Sequence, residues 1–448
     1  IVGSLLAPSG FDFATYHNQE VTLQGYALYL SGSTTHYFNI LVKDVSVATT
    51  SSVFDLTILE VNDLHGYIEQ DDDGTGGISN MAYLIDQIRA DNPLDDVVLI
   101  ANGDMFQGTA ISNMTYGLAV IECMNMMDFD VMGIGNHEFD WTIENILAYF
   151  DGDESNGEAD FPLLNANIYL LADDMLLTVI DGNMFTYTII EREGVQIGVI
   201  SYVGNIYYSI SQVVVADYYF DLDIAGSVTT IANDLRDAGV DIVIVNIHDG
   251  DSSGVEYYSV NNQLAQLKAT DGTYLVDAVI NGHTHSYQTG SISRTNGVAM
   301  PVVQAGGKGN AFGEIVLTID TDTMTVTAST VQLVYVDTAG TNHDTEIENY
   351  ITNLKEELGN ETLAVAGETI SNTEELEDWV GNVMMASTGA QVAISNHGGI
   401  RATGGITAGE DVTLSQMYEI SPFDNKLIVM ELSYEFIMSF TSSSALFY

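Results

Sequence analysis

Five short apolar runs of the chain each lead into polar residues that offer oxygen or nitrogen ligand atoms. The runs are Ile58–Val61, Val97–Ile100, Val131–Ile134, Ile242–Val245 and Ala278–Ile280. Runs of this length, bounded by glycine or asparagine, are typical of buried strands in an α/β sheet. Because polar sites in such sheets form beyond the carboxyl ends of the strands, we expect the residues that follow the five runs to meet in one place.

The patterns along the chain predict four parts. The first is a β-rich segment, because Val21–Tyr26 and Tyr37–Lys43 alternate apolar and polar residues. A layered α/β domain follows, in which strand and helix patterns alternate. A charged, helix-prone stretch then leads to a further, incomplete α+β unit, with a helix near Glu374–Ala386 and a strand at Gln391–Ser395. The predicted boundaries are 1–53, 54–338, 339–361 and 362–448.

The charge balance limits the partners. The 448 residues include 63 acidic and only 10 basic ones, a net charge of -53. Binding of duplex nucleic acid needs basic residues against the phosphates and is therefore excluded. Free nucleotides are also repelled unless cations invert the local field. We interpret the acidic surface as solvation in a saline or acidic medium; a calcium-loaded or self-assembling surface is the alternative.

Targeting signals and cysteines add little. No run of eighteen apolar residues predicts a transmembrane helix. Residues Ile1–Gly10 lack a basic flank, so we predict no signal peptide there and interpret the chain as a mature or cropped piece of a longer protein. The single cysteine, Cys123, excludes an intrachain disulfide, and its apolar surroundings predict a place in a buried helix.

One acidic loop, Asp71–Gly74, has part of the spacing of a calcium site. The EF-hand pattern is incomplete there. An exposed loop is the favoured interpretation, and a structural calcium ion is the alternative.

The residues after the five runs form a candidate site for two cations. Asp63 and His65, two apart, are expected on the same side of an extended segment. Asp104 is expected to bridge two cations, and Asn136 offers an amide oxygen. Oxygen and imidazole ligands together suit Zn, Mn or Fe. The remaining candidate ligands are the histidines His248, His283 and His285.

A second pattern follows Asn136. His137 and Asp140 are three residues apart, so the carboxylate can orient the imidazole ring. If His137 does not bind metal, it is free to act on a substrate as an acid or base. A structural His–Asp pair is the alternative.

Two sets of motifs resemble a known family. The run from Gly103 to Thr109, the run Gly135–Asp140, and the flanking Asn62–Gly66 and Gly282–His285 resemble the calcineurin-like metallophosphoesterases, and within them the secreted 5′-nucleotidases and UDP-sugar hydrolases. The C-terminal runs Asn396–Arg401 and Ser421–Asn425 resemble that family's nucleotide-binding domain. The resemblance covers about residues 55–448 and implies a four-layer α/β/β/α sandwich.

The resemblance also implies roles for individual residues. Asp104 would be shared by two metals, one also held by Asp63, His65 and His285, the other by Asn136, His248 and His283. His137 with Asp140 would stabilise the transition state. In the C-terminal unit, Asn396 would bind the base or ribose, Arg401 would bind an anion through its fork of donors, and Phe423 would stack on the base.

Three departures from the family pattern concern this nucleotide pocket. Thr373–Glu377 is acidic where family members usually carry an arginine, and His397 replaces the first glycine of the glycine-rich motif. The chain stops before the region that supplies a second stacking aromatic residue. The sequence therefore predicts intact metal chemistry beside an altered substrate pocket.

The favoured function is hydrolysis of a phosphomonoester, a nucleoside 5′-monophosphate or related nucleotide, at the cell surface, outside the cell or in the periplasm. A 2′,3′-cyclic phosphodiesterase and a nucleotide-sugar hydrolase remain open within the same class. The rival from another class is a structural subunit of a surface layer or filament that keeps the phosphoesterase fold, with self-assembly or attachment to the cell surface.

Overall fold

A computed structural model gives the fold of the chain. It describes residues 2–6, 21–30, 37–47, 53–71, 73–92, 96–179, 182–358, 362–395, 399–400, 405–421, 427–433, 436–437 and 446–447. Side chains are described from residue 53 onward within these ranges, apart from residues 415, 419, 446 and 447. By its internal contacts the chain divides into two units, Ile1–Phe54 and Asp55–Tyr448.

The strands are, in chain order, β1 (Val2–Leu6), β2 (Val21–Leu30), β3 (Tyr37–Val47), β4 (Val53–Val61), β5 (Val97–Ala101), β6 (Val131–Gly133), β7 (Leu163–Leu164), β8 (Ile168–Leu170), β9 (Met184–Phe185), β10 (Tyr187–Arg192), β11 (Val195–Val203), β12 (Tyr218–Phe220), β13 (Ile242–His248), β14 (Ala278–Ile280), β15 (Tyr287–Ile292), β16 (Met300–Ala305), β17 (Ala311–Asp320), β18 (Thr325–Tyr335), β19 (Thr362–Val365), β20 (Ile394–Ser395), β21 (Asp411–Thr413) and β22 (Leu446–Phe447).

The helices are α1 (Gly77–Asp91), α2 (Ala110–Met114), α3 (Leu118–Met126), α4 (Ile143–Leu147), α5 (Ile224–Asp237), α6 (Ser259–Leu264), α7 (Thr345–Leu358), α8 (Thr373–Thr388) and α9 (Leu414–Ile420). Local chemistry fixes their ends. Asp223 caps α5 by accepting a hydrogen bond from the Gly226 amide, and Asn372 caps α8 through the Glu375 amide. Gly389 ends α8 in the left-handed conformation that glycine adopts at low cost.

The first unit contains a three-stranded sheet. β3 lies between β1, to which it is parallel, and β2, to which it is antiparallel. The described part of this segment is thus β structure, as the alternation of its residues predicts.

Two larger sheets form the body of the second unit. The seven-stranded sheet has the order β18-β17-β4-β5-β6-β7-β9, and the six-stranded sheet has the order β10-β11-β13-β14-β16-β15. The strands that precede the candidate ligands are adjacent and parallel: β4, β5 and β6 in one sheet, β13 and β14 in the other. Every residue of β5, β6 and β13 is buried, and these strands are apolar apart from Asn246 and His248 in β13.

Helices cover the outer face of each sheet. The first buried cluster joins the seven-stranded sheet to α1, α3 and α7, and the second joins the six-stranded sheet to α5 and α6. The sheets face each other at their inner sides, where the Asn246 side chain donates a hydrogen bond to the Ala101 carbonyl at 3.2 Å. The order of layers is α/β/β/α, which confirms the predicted fold class.

Several predicted elements are present with shifted ends. The helix predicted near Glu374–Ala386 is α8, whereas the strand predicted at Gln391–Ser395 shrinks to the two residues of β20. Helix α7, in the stretch predicted to be helical, packs Ile347 and Ile351 into the first buried cluster. Cys123 is buried in α3, as predicted.

The C-terminal part has a small core of its own. β19 pairs antiparallel with β21, and Leu376 of α8 and Ile420 of α9 belong to one buried cluster. In the part of the chain that the structure describes, no helix combines the length and the apolar character that crossing a membrane requires.

Candidate metal centre

All seven predicted ligands lie at the carboxyl ends of five strands from both sheets. Three groups of them and their neighbours place one ligand atom each within 4.8 Å of one another: Asp63, His65 and His285; His65, Asp104 and His137; and Asp104, His248 and His283. Asp104 belongs to two of the groups. Asn136 joins them because its Oδ1 lies 2.8 Å from Nδ1 of His283.

The backbone around Asp63 and His65 is not the extended segment that the sequence predicts. β4 ends at Val61, and both residues have a φ of 51°, in the left-handed region. The period-two argument for their shared direction is therefore wrong. They still meet, because both side chains reach His285: Asp63 Oδ1 lies 3.3 Å and His65 Nε2 lies 3.1 Å from its Nε2.

Strain of this kind is concentrated at the site. Twelve described residues other than glycine have a positive φ, and five of them are predicted ligands: Asp63, His65, Asp104, His283 and His285. A left-handed backbone costs a non-glycine residue roughly 1–2 kcal/mol. Such strain persists where the surrounding structure holds it for a functional purpose.

Backbone carbonyls orient two of the imidazole rings. His65 Nδ1 lies 2.9 Å from the Gln107 carbonyl, and His248 Nδ1 lies 2.5 Å from the Asn102 carbonyl. Since a carbonyl oxygen only accepts, each Nδ1 must donate its proton. In a neutral ring the lone pair is then on Nε2, which faces the cluster in both residues. A second hydrogen bond of this kind is typical of histidines that bind metals.

Two buried atoms of the cluster make no well-formed hydrogen bond with the described residues, although each lies close to another candidate ligand. They are Oδ1 of Asp63 and Nε2 of His248. Both side chains are fully buried, and the two atoms lie 3.9 Å apart. Nε2 of His248 lies 3.0 Å from Oδ2 of Asp104, and Oδ1 of Asp63 lies 3.3 Å from Nε2 of His285. Protons on the imidazoles or a shared cation can satisfy atoms that are packed in this way. The donor set of carboxylate, amide and imidazole atoms therefore fits divalent metal ions.

The charges in the cluster are strongly coupled. Burial raises the pKa of Asp104, but His248, His137 and His65 outweigh burial and hold it well below its usual value. Burial lowers the pKa of His248, yet Asp104 and Asp63 raise it to about 10. Burial lowers the pKa of both His65 and His283. The two carboxylates thus demand positive charge, which protons or metal ions can supply.

His137 and Asp140 form the predicted pair. His137 Nδ1 lies 2.6 Å from Asp140 Oδ2, and both side chains are partly exposed. The His137 amide donates to Asp104 Oδ1 at 2.7 Å, so the residue is fixed beside the carboxylate that the two groups share. Burial lowers the pKa of His137, but Asp104 and Asp140 raise it to about 9. A proton on this ring is available to a leaving group at neutral pH.

Glu138 is a residue of the site to which the sequence gives no role. It is fully buried, and its carboxylate accepts three backbone hydrogen bonds, from Asp104 at 2.9 Å, Met105 at 2.9 Å and Gly135 at 2.6 Å. It thus joins the loop after β5 to the loop after β6. Burial and Asp104 raise the pKa of Glu138 to about 7. Its place in the run Gly135–Asp140 makes it part of a motif, but no ligand spacing or periodicity gives it a role.

Two amides connect the remaining loops. Asn62 accepts from the Ala305 amide at 2.7 Å and donates to the Gly306 carbonyl at 2.8 Å, which fixes the Asp63 loop to the end of β16. Gln304 Oε1 accepts from Thr284, the residue between His283 and His285, at 2.6 Å. Neither residue carries charge or periodicity that marks it in the sequence.

The predicted substrate-binding residues Asn396, Arg401 and Phe423 lie outside the described residues, as does His397. The acidic departure before α8 is described. Glu375 accepts a hydrogen bond from the Ser371 amide at 3.0 Å. A carboxylate of the chain itself therefore binds the backbone just before this helix. In the acidic loop, Asp71 and Asp73 are exposed, and the calcium alternative stays a prediction.

Family models and individual known proteins both match this chain. A model of the calcineurin-like phosphoesterases matches residues 56–287, and one of the 5′-nucleotidase C-terminal domain matches residues 351–437. A snake venom 5′-nucleotidase of Crotalus adamanteus is 30% identical over 62% of this chain and 47% of its own length. A cell wall protein of Listeria monocytogenes is 24% identical over 84% of this chain and 54% of its own.

The fold is also similar to that of a solved 5′-nucleotidase precursor from Thermus thermophilus. The TM-score is 0.61 at 22% identity, over 83% of this chain and 74% of the other. The chain spans about half the length of the curated relatives named above. The family match covers more than half of the chain and includes all seven predicted ligands. The chain therefore belongs to the calcineurin-like phosphoesterases, and a 5′-nucleotidase C-terminal domain follows its phosphoesterase domain.

Proposed function

We propose that the protein is an extracellular or cell-surface phosphoester hydrolase that converts a nucleoside 5′-monophosphate to a nucleoside and phosphate with two divalent metal ions. The observation that carries the proposal is the position of Asp104, which contributes to two separate groups of candidate ligands. A carboxylate shared in this way is suited to bridge two cations. The names of the relatives, a venom 5′-nucleotidase and a cell wall protein, support the substrate and the location.

The ligands divide into two sets around Asp104. Asp63, His65 and His285 complete one set, and Asn136, His248 and His283 complete the other. When bound, two divalent ions at such a site neutralise phosphate oxygens and lower the pKa of a water molecule. The identity of the ions, whether Zn, Mn or Fe, is open, since all three accept imidazole and carboxylate ligands.

The protein groups supply orientation and a proton. His137 is held by Asp140 on one ring nitrogen, which leaves Nε2 free for the substrate. In the proposed reaction, a water oxygen bonds to phosphorus, the bond from phosphorus to the leaving oxygen breaks, and His137 gives that oxygen its proton. Asp140 keeps the imidazole in the tautomer and charge state that this transfer needs.

The nucleoside end of the substrate is assigned to the C-terminal domain. Phe423 would stack on the base, Asn396 would bind the base or ribose, and Arg401 would bind an anion. Support for these roles comes from the motifs of the sequence. The carboxylate that occupies the start of α8 argues against an anion contact there, so Arg401 is the remaining basic candidate in this domain's motif.

Hydrolysis assays test the proposal. AMP and p-nitrophenyl phosphate, which lacks a base, should both be hydrolysed with Mn or Zn and not after chelation. Phe423→Ala should raise KM for AMP, with a loss of about 1–3 kcal/mol in binding, and leave the baseless ester nearly unchanged. Equal losses on both substrates would mean that Phe423 supports the fold, and no preference of the wild type for AMP would refute the nucleotidase assignment.

The same assays separate the rivals. A 2′,3′-cyclic phosphodiesterase would favour cyclic nucleotides, and a nucleotide-sugar hydrolase would favour UDP-glucose. A structural subunit would show filaments or sheets by electron microscopy. The acidity of the chain and its altered nucleotide motif favour this last alternative, and assembly without any hydrolysis would establish it in place of the enzyme.

A further inference from the structure

Lys308 lies beside the candidate metal centre. It follows the buried strand β16 in the loop Gly306–Asn310. Its amide donates a hydrogen bond to the carbonyl of the predicted ligand Asp63 at 2.7 Å. The preceding Gly307 packs so closely on His285 that an added Cβ would lie 3.2 Å from the imidazole ring. His285 is the exposed candidate ligand of the cluster, with 42% of its side chain accessible. This solvent-exposed side of the cluster is the mouth of the site, and Lys308 lies beside it.

The backbone of Lys308 is strained although glycines surround it. Its φ is 61°, in the left-handed region, as are those of Gly306 at 83° and Gly309 at 65°. A glycine would adopt this conformation at lower cost. Lys308 shares this strain with five predicted ligands, and strain of this kind at a site is a reason to ask what the side chain does.

The ammonium group is held but not neutralised. It lies 5.0 Å from the centre of the Tyr67 ring, within the range of a cation–π contact, and Tyr67 follows the ligand His65 by two residues. Among the described basic residues, Arg89, Arg192, Arg236 and Lys355 form ion pairs with carboxylates. Lys308 forms none with any residue that the structure describes. Lys268 and Arg294, which lie over the Tyr274 ring, also form no ion pair with a described residue, so Lys308 is distinguished by its place beside the ligand cluster.

Its position determines what it can contact. The reacting phosphate belongs to the buried ligand cluster, so an exposed ammonium at the mouth faces the part of the substrate that protrudes. In a nucleoside monophosphate that part is a neutral sugar. In a diphosphate it is a second phosphate. A cation placed there attracts the second charge and opposes the repulsion of the acidic surface.

We propose that Lys308, positioned by Tyr67, is a specificity-determining residue that binds a second phosphate next to the reacting one. Beside the monophosphates of the proposed function, the site would then also accept nucleotides whose leaving group is itself a phosphate ester, such as nucleoside diphosphates. For these a water oxygen bonds to the terminal phosphorus, the bond to the bridging oxygen breaks, and the monophosphate departs with that oxygen. The inference rests on the proposed phosphoester hydrolysis at the same site.

A matched pair of variants tests the proposal. Lys308→Gln removes the cation at the mouth. Lys268→Gln makes the same change at an exposed lysine that also lies over a tyrosine, 4.3 Å from the Tyr274 ring, in the segment between α6 and β14. Binding of methylenediphosphonate and of inorganic phosphate to the Mn-loaded proteins is measured by calorimetry, and kcat/KM is measured for ADP and AMP. Lys308→Arg keeps the charge and guards against a loss of fold.

We expect Lys308→Gln to weaken diphosphonate binding about tenfold and to lower kcat/KM for ADP to a similar degree, as for the loss of a charged hydrogen bond. Phosphate binding and AMP hydrolysis should change less than about threefold, and Lys308→Arg and Lys268→Gln should resemble the wild type. Equal losses for both ligands, no loss, or no diphosphonate binding by the wild type would each overturn the proposal. Selective diphosphonate binding without hydrolysis of any ester would refute the proposed function alone, and hydrolysis without selectivity would refute the role of Lys308 alone.

Discussion

At the scale of single residues, the chemistry depends on which ring nitrogen of each histidine is free. His65 and His248 commit Nδ1 to backbone carbonyls and present Nε2 to the cluster. His137 commits Nδ1 to a carboxylate and so keeps a proton. Histidines within a few ångströms of one another can therefore serve as ligand and as acid, because the partner of the second nitrogen differs.

Replacing His137 tests this division. His137→Ala should lower kcat about 10²–10⁴-fold, as the loss of an acid–base group does, with metal content unchanged. The geometry makes the control necessary, because His137 also lies within 4.8 Å of ligand atoms of His65 and Asp104. Loss of metal from the variant would place His137 among the ligands.

The pair also predicts a pH dependence. Burial lowers the pKa of His137, and Asp104 and Asp140 raise it to about 9. An acid with a raised pKa stays protonated, and hence active, up to that higher pH. Asp140→Asn removes one raising charge, so the alkaline limb of the kcat/KM profile should move to lower pH. An alkaline limb that stays in place would show that another group titrates there.

At the scale of elements, the ends of β5 and β6 act together because Glu138 joins them. Its carboxylate accepts backbone hydrogen bonds from both loops, on the residues Asp104, Met105 and Gly135. A glutamine at this position would offer one acceptor oxygen, whereas the carboxylate uses both of its oxygens as acceptors. The positions of Asp104 and Asn136 relative to each other should therefore depend on this side chain.

Glu138→Gln should weaken metal binding about 10–100-fold, the usual effect of losing an outer partner of a ligand. Metal affinity is measured by competition with a chelator. Glu144→Gln is the control, since Glu144 is exposed on α4 and accepts a hydrogen bond from the Tyr218 hydroxyl at 2.9 Å. Unchanged affinity in Glu138→Gln, at unchanged melting temperature, would reduce Glu138 to a structural residue.

The strands, and the meeting of the candidate ligands at their ends, were predictable because each apolar run stops at a residue with ligand atoms. The local conformation was not. Asp63 and His65 adopt left-handed backbone that their residue types disfavour, and only contacts from distant segments, such as the bond from the Lys308 amide to the Asp63 carbonyl, hold it. Glu138 and Asn62 bind backbone groups and Gln304 binds the hydroxyl group of Thr284, so no periodicity or ligand pattern marks these residues. The roles of Asn396, Arg401 and Phe423 stay predictions.

At the scale of the whole molecule, charge dominates. With 63 acidic and 10 basic residues, the compact chain repels itself. Four of the basic residues form ion pairs within the described part of the chain, and Lys308 is held by an aromatic ring beside the site. Little positive charge is left to offset the acidic surface, so the solvent must do so.

The melting temperature should therefore rise with salt. Between about 10 mM and 1 M the Debye length falls from about 30 Å to 3 Å, which screens the repulsion. The increase should be visible by scanning calorimetry at neutral pH, and mildly acidic pH should act in the same direction by protonating carboxylates. A melting temperature that is indifferent to salt over this range would show that the acidic surface is not an adaptation of this kind.

The number of metal ions per chain tests the central claim most directly. Elemental analysis of the purified protein, after dialysis against buffer, should find about two divalent transition-metal equivalents per chain. Asp104→Asn should lose most of both, because Asp104 belongs to two groups of candidate ligands. A wild-type protein with one equivalent or none after incubation with Mn or Zn, or an Asp104→Asn variant that keeps both ions, would contradict the account.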